Sequence, residues 1–152
     1  MNRRLFLFSA ALVACSLGAV AQSSKSGAAG SKLQAHVEYT GSGTVDASRK
    51  IYVVIWDSPD FVNPSGGSMA PLGVETLDSK SGDVTFSDVA KNPVYVSMAY
   101  DPTGDWKGDR KPPAGTSLGM YSKEPGKPEP IQLEAGKTTK ISATLDDSYK
   151  AQ

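Results

Sequence analysis

Cysteine is almost missing from the 152-residue chain: Cys15 is its only thiol, and His36 its only imidazole. One thiol closes no internal disulfide, and one thiol with one histidine builds neither a thiolate zinc cage nor a polyhistidine metal site. An excess of either charge is missing as well. Sixteen basic side chains balance sixteen acidic ones, so there is no cationic field to hold nucleic acid by counterion release. No apolar run reaches the roughly 20 residues that a membrane-spanning helix requires; Leu5 to Val13 contains Ser9 and is followed by Ser16, Gly18 and a polar stretch from Gln22. No window carries an apolar stripe of helical period, which argues against a helix bundle. No repeat of about 20 to 50 residues recurs, which argues against solenoids and propellers.

What is there begins with an export signal. Met1-Asn2-Arg3-Arg4 precedes a short apolar segment, and Ala19-Val20-Ala21 offers the small-x-small pattern that a signal peptidase accepts, with cleavage before Gln22. Two other features share the segment. Leu12-Val13-Ala14-Cys15 resembles a bacterial lipobox, which would make Cys15 a lipidation site and the product a lipid-anchored envelope protein. Arg3-Arg4-Leu5-Phe6-Leu7 looks like a twin-arginine signal. Because Ser16 to Ala21 continues largely apolar where a lipoprotein tether begins polar, ordinary cleavage is the preferred reading. The protein is then periplasmic or secreted, touching the membrane only through its signal peptide.

Gln22 to Lys32 has no bulky apolar residue and reads as a flexible leader. From Leu33 the period becomes two: Leu33, Ala35, Val37 and Tyr39 alternate with polar residues, as in a half-buried strand. Lys50 to Asp57 is apolar on both faces, with Ile51 to Trp56 all β-branched or aromatic, which predicts a central strand. Leu72 to Leu77, Asp83 to Phe86, Val94 to Tyr100, Ser117 to Tyr121, Ile131 to Leu133 and Thr138 to Leu145 complete the set, separated by Gly- and Pro-rich breaks. Seven or eight short strands at such spacing predict an all-β fold, an antiparallel two-sheet sandwich of transthyretin-like or immunoglobulin-like type, with a small barrel as the alternative. The expected organisation is a signal peptide over 1–21, a leader over 22–32, a sandwich over 33–147 and a tail over 148–152.

The succession of Ile51-Tyr52-Val53-Val54-Ile55-Trp56-Asp57-Ser58, Gly82-Asp83-Val84-Thr85-Phe86-Ser87-Asp88-Val89, Tyr95-Val96 leading to Tyr100-Asp101, and Leu133-Glu134-Ala135-Gly136-Lys137-Thr138 resembles the transthyretin-like (prealbumin-like) sandwiches. These include carboxypeptidase regulatory-like domains and bacterial periplasmic proteins. The resemblance spans Leu33 to Asp147 and implies a binding or structural module. It does not carry over the family's hydroxyisourate hydrolase activity, which uses several histidines and a Tyr-Arg-Gly-Ser terminus where this chain has His36 alone and Asp147-Ser148-Tyr149-Lys150.

Gly115-Thr116-Ser117-Leu118-Gly119 matches the G-x-S-x-G nucleophile elbow, but no helix follows and His36 precedes the serine where the hydrolase order places it after. Asp101, Thr103, Asp105 and Asp109 stand at loop positions 1, 3, 5 and 9 with calcium-loop spacing, while Trp106 occupies the position of the usual Gly and Pro112 that of the bidentate Glu. Calcium is the one cofactor the sequence offers, and ordinary Asx-turn chemistry is the competing account. His36 and Glu38 share the polar face of one strand, a pairing more in keeping with solvated charges than with catalysis. Asp57, Asp60, Asp146 and Asp147 are the carboxylates from which a pair for a small hydrolase or carbohydrate-active protein could be drawn.

The two-sided strand demands cover for Tyr52, Val54 and Trp56, from a loop, a partner or a ligand. The loop from Asp101 to Tyr121 supplies Trp106, Met120 and Tyr121, and these with Tyr52 and Trp56 are the expected contact residues for an envelope protein or small ligand. The sequence thus predicts an exported, non-enzymatic binding or structural module, with the hydrolase as runner-up.

Overall fold

The computed structural model describes residues 30–63, 69–108 and 111–152. The signal peptide, Cys15 and the first part of the leader lie outside the described residues. Seven strands follow in order: β1 (Ser31–Tyr39), β2 (Ile51–Trp56), β3 (Gly73–Leu77), β4 (Ser81–Val89), β5 (Tyr95–Tyr100), β6 (Ser117–Met120) and β7 (Thr138–Leu145), with one 3₁₀ turn over Pro59–Val62. They form two open sheets, β4-β1-β7 and β3-β2-β5-β6. This is the expected sandwich, and neither sheet closes into the alternative barrel.

Alternation determines which face each strand buries. In β1, Leu33, Ala35, Val37 and Tyr39 point into the core, where they meet Ile51, Val53 and Ile55 of β2, Val96, Met98 and Tyr100 of β5, and Ile141 and Leu145 of β7. β1 is the middle strand of its sheet, antiparallel to β4 and parallel to β7, with Lys32 to Tyr39 paired in unbroken register to Thr138 to Leu145. The remaining ladders, β2 with β3 and β5, and β5 with β6, are antiparallel.

β4 runs longer than expected, from Ser81 to Val89 where Asp83 to Phe86 reads as the strand, because β1 pairs with it along that length; three further boundaries depart because distant groups supply or withhold hydrogen bonds. β1 begins at Ser31, inside the expected leader: Ser31 Oγ donates to the Glu134 carbonyl at 3.0 Å and the Lys32 amide to the Lys137 carbonyl at 2.9 Å. Ile131 to Leu133 is held by a single bridge to Val94, and the Asn92 side chain both accepts from the Leu133 amide (2.9 Å) and donates to its carbonyl (3.0 Å). Pro128 and Pro130, without amide protons, leave too few donors for a longer ladder there. The expected tail is part of the sandwich, because Ala151 and Tyr149 exchange three backbone hydrogen bonds with Gly115, Thr116 and Leu118 along the free edge of β6.

Candidate functional site

The outer face of the four-stranded sheet carries most of the aromatic side chains expected to make contacts. Tyr52, Val54 and Trp56 alternate outward from β2, next to Ser97 and Ala99 of β5, Leu118 and Met120 of β6, and Val74 and Thr76 of β3. One end of this face is closed by the chain itself. The 101–108 loop folds back so that Trp106 lies against Tyr52, ring centroids 4.8 Å apart, and the Tyr52 hydroxyl donates to the Trp106 carbonyl at 2.9 Å. Tyr52, Ala99 and Trp106 make a second small core with Leu118 at its side.

The accessible contact expected at Trp106 and Tyr52 is therefore corrected: Trp106 is 4% exposed and Tyr52 8%. The physical reason is the one that made a two-sided β2 conspicuous, since its outer side chains need cover and the long loop provides it. Tyr121 also turns inward, against the main core.

The other end of the face is different. Ser58 caps the 3₁₀ turn through the Asp60 amide, and Phe61 of that turn stacks on Trp56 at 5.5 Å with the rings 13° apart. The Trp56 indole donates to Ser97 Oγ at 2.8 Å, and Met120 pairs across from Ser97, so Trp56 and Met120 flank one serine. The Leu72 amide donates to the Ile55 carbonyl at 2.9 Å, which holds Leu72 against the end of β2 just before β3 begins, and Val74 pairs with Val54. Leu72 is 38% exposed, Val74 39%, and Val62 in the 3₁₀ turn 36%. Glu75, with inward parity opposite Val53, remains exposed on the edge strand. A carboxylate there discourages strand addition and leaves the face rather than the edge for contacts.

The acidic loop uses its first residues for its own closure. Asp101 is buried; its Oδ1 accepts from the Thr103 amide (3.0 Å) and hydroxyl (2.9 Å), and its Oδ2 from the Trp106 amide (2.9 Å). Burial alone would raise the Asp101 carboxyl, but the Trp106 and Thr103 donors outweigh it and hold the group below its usual range. A calcium ion at Asp101 and Thr103 would have to displace those donors. Asp105 is exposed, and Asp109 lies outside the described residues. Among the described residues no three His, Cys, Asp or Glu side chains gather as a metal site.

Ser117 is fully buried in a polar knot at the end of β7. Asp147 Oδ1 accepts from the Ser117 hydroxyl and the Tyr39 hydroxyl, both at 2.7 Å, and Oδ2 accepts from the Ser42 amide and hydroxyl at 2.9 and 3.1 Å. Lys150 Nζ approaches Ser117 Oγ at 3.2 Å. The hydrogen bonds from Tyr39, Ser117 and Ser42 hold the Asp147 carboxyl far below the ordinary carboxylate range, and burial together with Asp147 pushes the Tyr39 hydroxyl up to about 12. A carboxylate so stabilised is a poor base, so the Ser117 proton stays where it is. The knot ties the loop after β1, the start of β6 and the segment after β7 together.

The scattered carboxylates do not form one pair. Asp147 contacts Ser117, which pairs with Tyr100 opposite Ile51 at the start of β2, whereas Asp57 and Asp60 follow the end of that strand. At about 3.3 Å per residue the length of β2 separates them by roughly 20 Å, beyond the spacing of a glycosidase pair. His36 pairs with Asp83 of β4 rather than with Glu38: Nδ1 lies 2.7 Å from Asp83 Oδ1 across the β1–β4 ladder. Sequence reasoning had no means to find Asp83 as the partner, since only the pairing register brings the two together.

Comparison with protein-family models, with curated proteins and with solved structures found no match.

Proposed function

We propose that the protein is an exported β-sandwich of the cell envelope that works as a binding or structural module, with the open end of the four-stranded sheet as its contact surface. One observation carries this reading. Leu72, Val74 and Val62 remain more than a third exposed beside the Trp56–Phe61 stack, while the loop bearing Trp106 covers the rest of the face. Apolar side chains left exposed at one end of an otherwise covered sheet are a candidate contact site. Trp56 is already oriented by Phe61 and Ser97, so little side-chain freedom is lost when a partner docks. The two-sheet architecture also supports the resemblance to transthyretin-like domains, and the Ala19-Val20-Ala21 motif supports export with Gln22 as the first mature residue. The partner is an envelope protein or a small apolar ligand.

Site-specific photo-crosslinking in the producing cell, combined with intact mass, tests the proposal. A crosslinker at Val74 is expected to give a discrete adduct that a crosslinker at Thr85, exposed on the other sheet, does not give. Val74→Glu is expected to abolish binding at the surface while leaving the thermal midpoint unchanged. Equal adducts from both positions, or none from Val74, would reject the surface. A mature chain beginning at Cys15 with attached lipid would replace soluble export by anchoring.

A further inference from the structure

The outer face of the three-stranded sheet holds a second arrangement, on the side of the sandwich away from the apolar surface and independent of it. β1 and β4 pair so that His36 lies opposite Asp83 and Glu38 opposite Ser81, which puts Ser81 diagonally next to His36 on the same face. Side chains then meet in sequence. Asp83 Oδ2 accepts from Gln34 Nε2 at 3.3 Å, Asp83 Oδ1 faces His36 Nδ1 at 2.7 Å, and His36 Nε2 faces Ser81 Oγ at 3.4 Å. The carboxylate can only accept, so Nδ1 carries the ring proton in the neutral imidazole and Nε2 presents its lone pair to the Ser81 hydroxyl. That is the tautomer a general base requires, set by a third group that is itself held by Gln34. A shallow depression of about 150 Å³ adjoins the histidine on the β7 side, lined by Gln34, His36, Asp83, Lys140, Ile141 and Ser142, with Ser81 outside its lining.

We infer that Ser81, His36 and Asp83 form a nucleophile, base and orienting carboxylate that transfer small acyl groups from unhindered esters to water. Ser81 Oγ bonds to the ester carbonyl carbon as its proton passes to His36 Nε2. The carbon–oxygen bond to the leaving alcohol then breaks, and the alcohol takes that proton from Nε2. Water attacks the Ser81 ester, giving one proton to Nε2 that returns to Ser81 Oγ as the carboxylic acid departs. The sum is ester plus water to acid plus alcohol, with no other reactant. Because the His36 and Asp83 side chains are about half exposed, water competes with every contact and the acceleration is small, about tenfold over a protein lacking the hydroxyl.

The experiment uses the purified mature protein with 4-nitrophenyl acetate, reading nitrophenolate release and the site of acetylation by peptide mass spectrometry. An acetyl group on Ser81 is expected, with release falling about tenfold in Ser81→Ala and His36→Gln and by a smaller factor in Asp83→Asn. Ser81→Cys is expected to restore acetylation at position 81. Acetyl groups confined to lysines or to the His36 ring, or an unchanged rate in Ser81→Ala, would overturn the assignment. Because acetylation is mapped on the unmodified protein, the result holds whatever the variants do to stability. It also stands apart from crosslinking at Val74.

Discussion

Ser117 donates its hydroxyl to Asp147 at 2.7 Å, and it is the serine of the only nucleophile-elbow motif in the chain. The partner a catalytic serine requires is a base that accepts its proton; Asp147 is so well satisfied by Tyr39 and Ser42 that it does not. The prediction is that a fluorophosphonate probe leaves Ser117 unlabelled. Ser117→Ala should cost about 1 to 2 kcal/mol, because a buried hydrogen bond to a charged group is lost. Stoichiometric labelling of Ser117 would contradict this account.

The Tyr39 hydroxyl gives a pH test with a definite sign. Its folded value of about 12 stands above the ordinary value of 10.0, so the unfolded chain loses this proton first as pH rises. The stability that Tyr39 contributes is present in full below pH 10 and disappears between about 10 and 12. Denaturant titrations should show the wild-type advantage over Tyr39→Phe, on the order of 2 kcal/mol at neutral pH, shrinking across that window. A constant advantage up to pH 12 would show that the hydroxyl does not remain protonated in the fold.

Trp106→Ala should be strongly destabilising. The indole is almost wholly buried against Tyr52 and Ala99, and emptying such a site costs about 3 to 5 kcal/mol, which calorimetry would record as a fall of many degrees in the thermal midpoint. An unchanged midpoint would mean that the loop lies away from the sheet in solution.

Calcium should leave the midpoint unaltered, since both Asp101 oxygens already accept hydrogen bonds from Thr103 and Trp106. Asp101→Ala should lower stability by about 1 to 3 kcal/mol through the donors it strands. A calcium-dependent rise in Tm, lost in Asp105→Ala, would show that the loop reorganises around the ion.

The legible parts of this chain are those where neighbours in sequence carry the signal. The alternation from Leu33 to Tyr39 and from Thr138 to Leu145 reads directly as strands, and the two-sided apolar run at Ile51 to Trp56 reads as a central strand whose outer face needs cover. The nature of that cover was not legible. A lone Trp among Asp and Gly residues has no period, so Trp106 reads equally well as an exposed contact or as a lid, and the loop's path decides between them. Trp56 and Met120 fall on the open part of the face, but Val74 carries no functional signal in a short strand, nor does Leu72 just before it. The polar constellations escaped for a different reason. Tyr39, Ser42, Ser117 and Asp147 meet between the two sheets and the loops beyond β1 and β7, while His36, Ser81 and Asp83 meet through the β1–β4 pairing, where a one-residue change of register would send them to opposite faces. Within Ser81-Gly82-Asp83 the alternation does place the serine and aspartate side by side, a signal complete only once β4 is known to pair with β1.

The parallel pairing of β1 with β7 sets the order of events during folding. β1 occupies the middle of its sheet, yet one of its two neighbours, β7, is the last of the seven described strands in chain order. A ribosome that has released everything up to β6 has delivered a middle strand with one side bare, and the chain must keep Lys32 to Tyr39 from wrong partners until Thr138 to Leu145 emerges. Closing so long a loop for the final ladder makes assembly slow relative to a protein of local contacts. Stalling the chain before Thr138 should therefore leave a species open to proteases and holdase chaperones, and a few more residues at the far end convert it to the protected form.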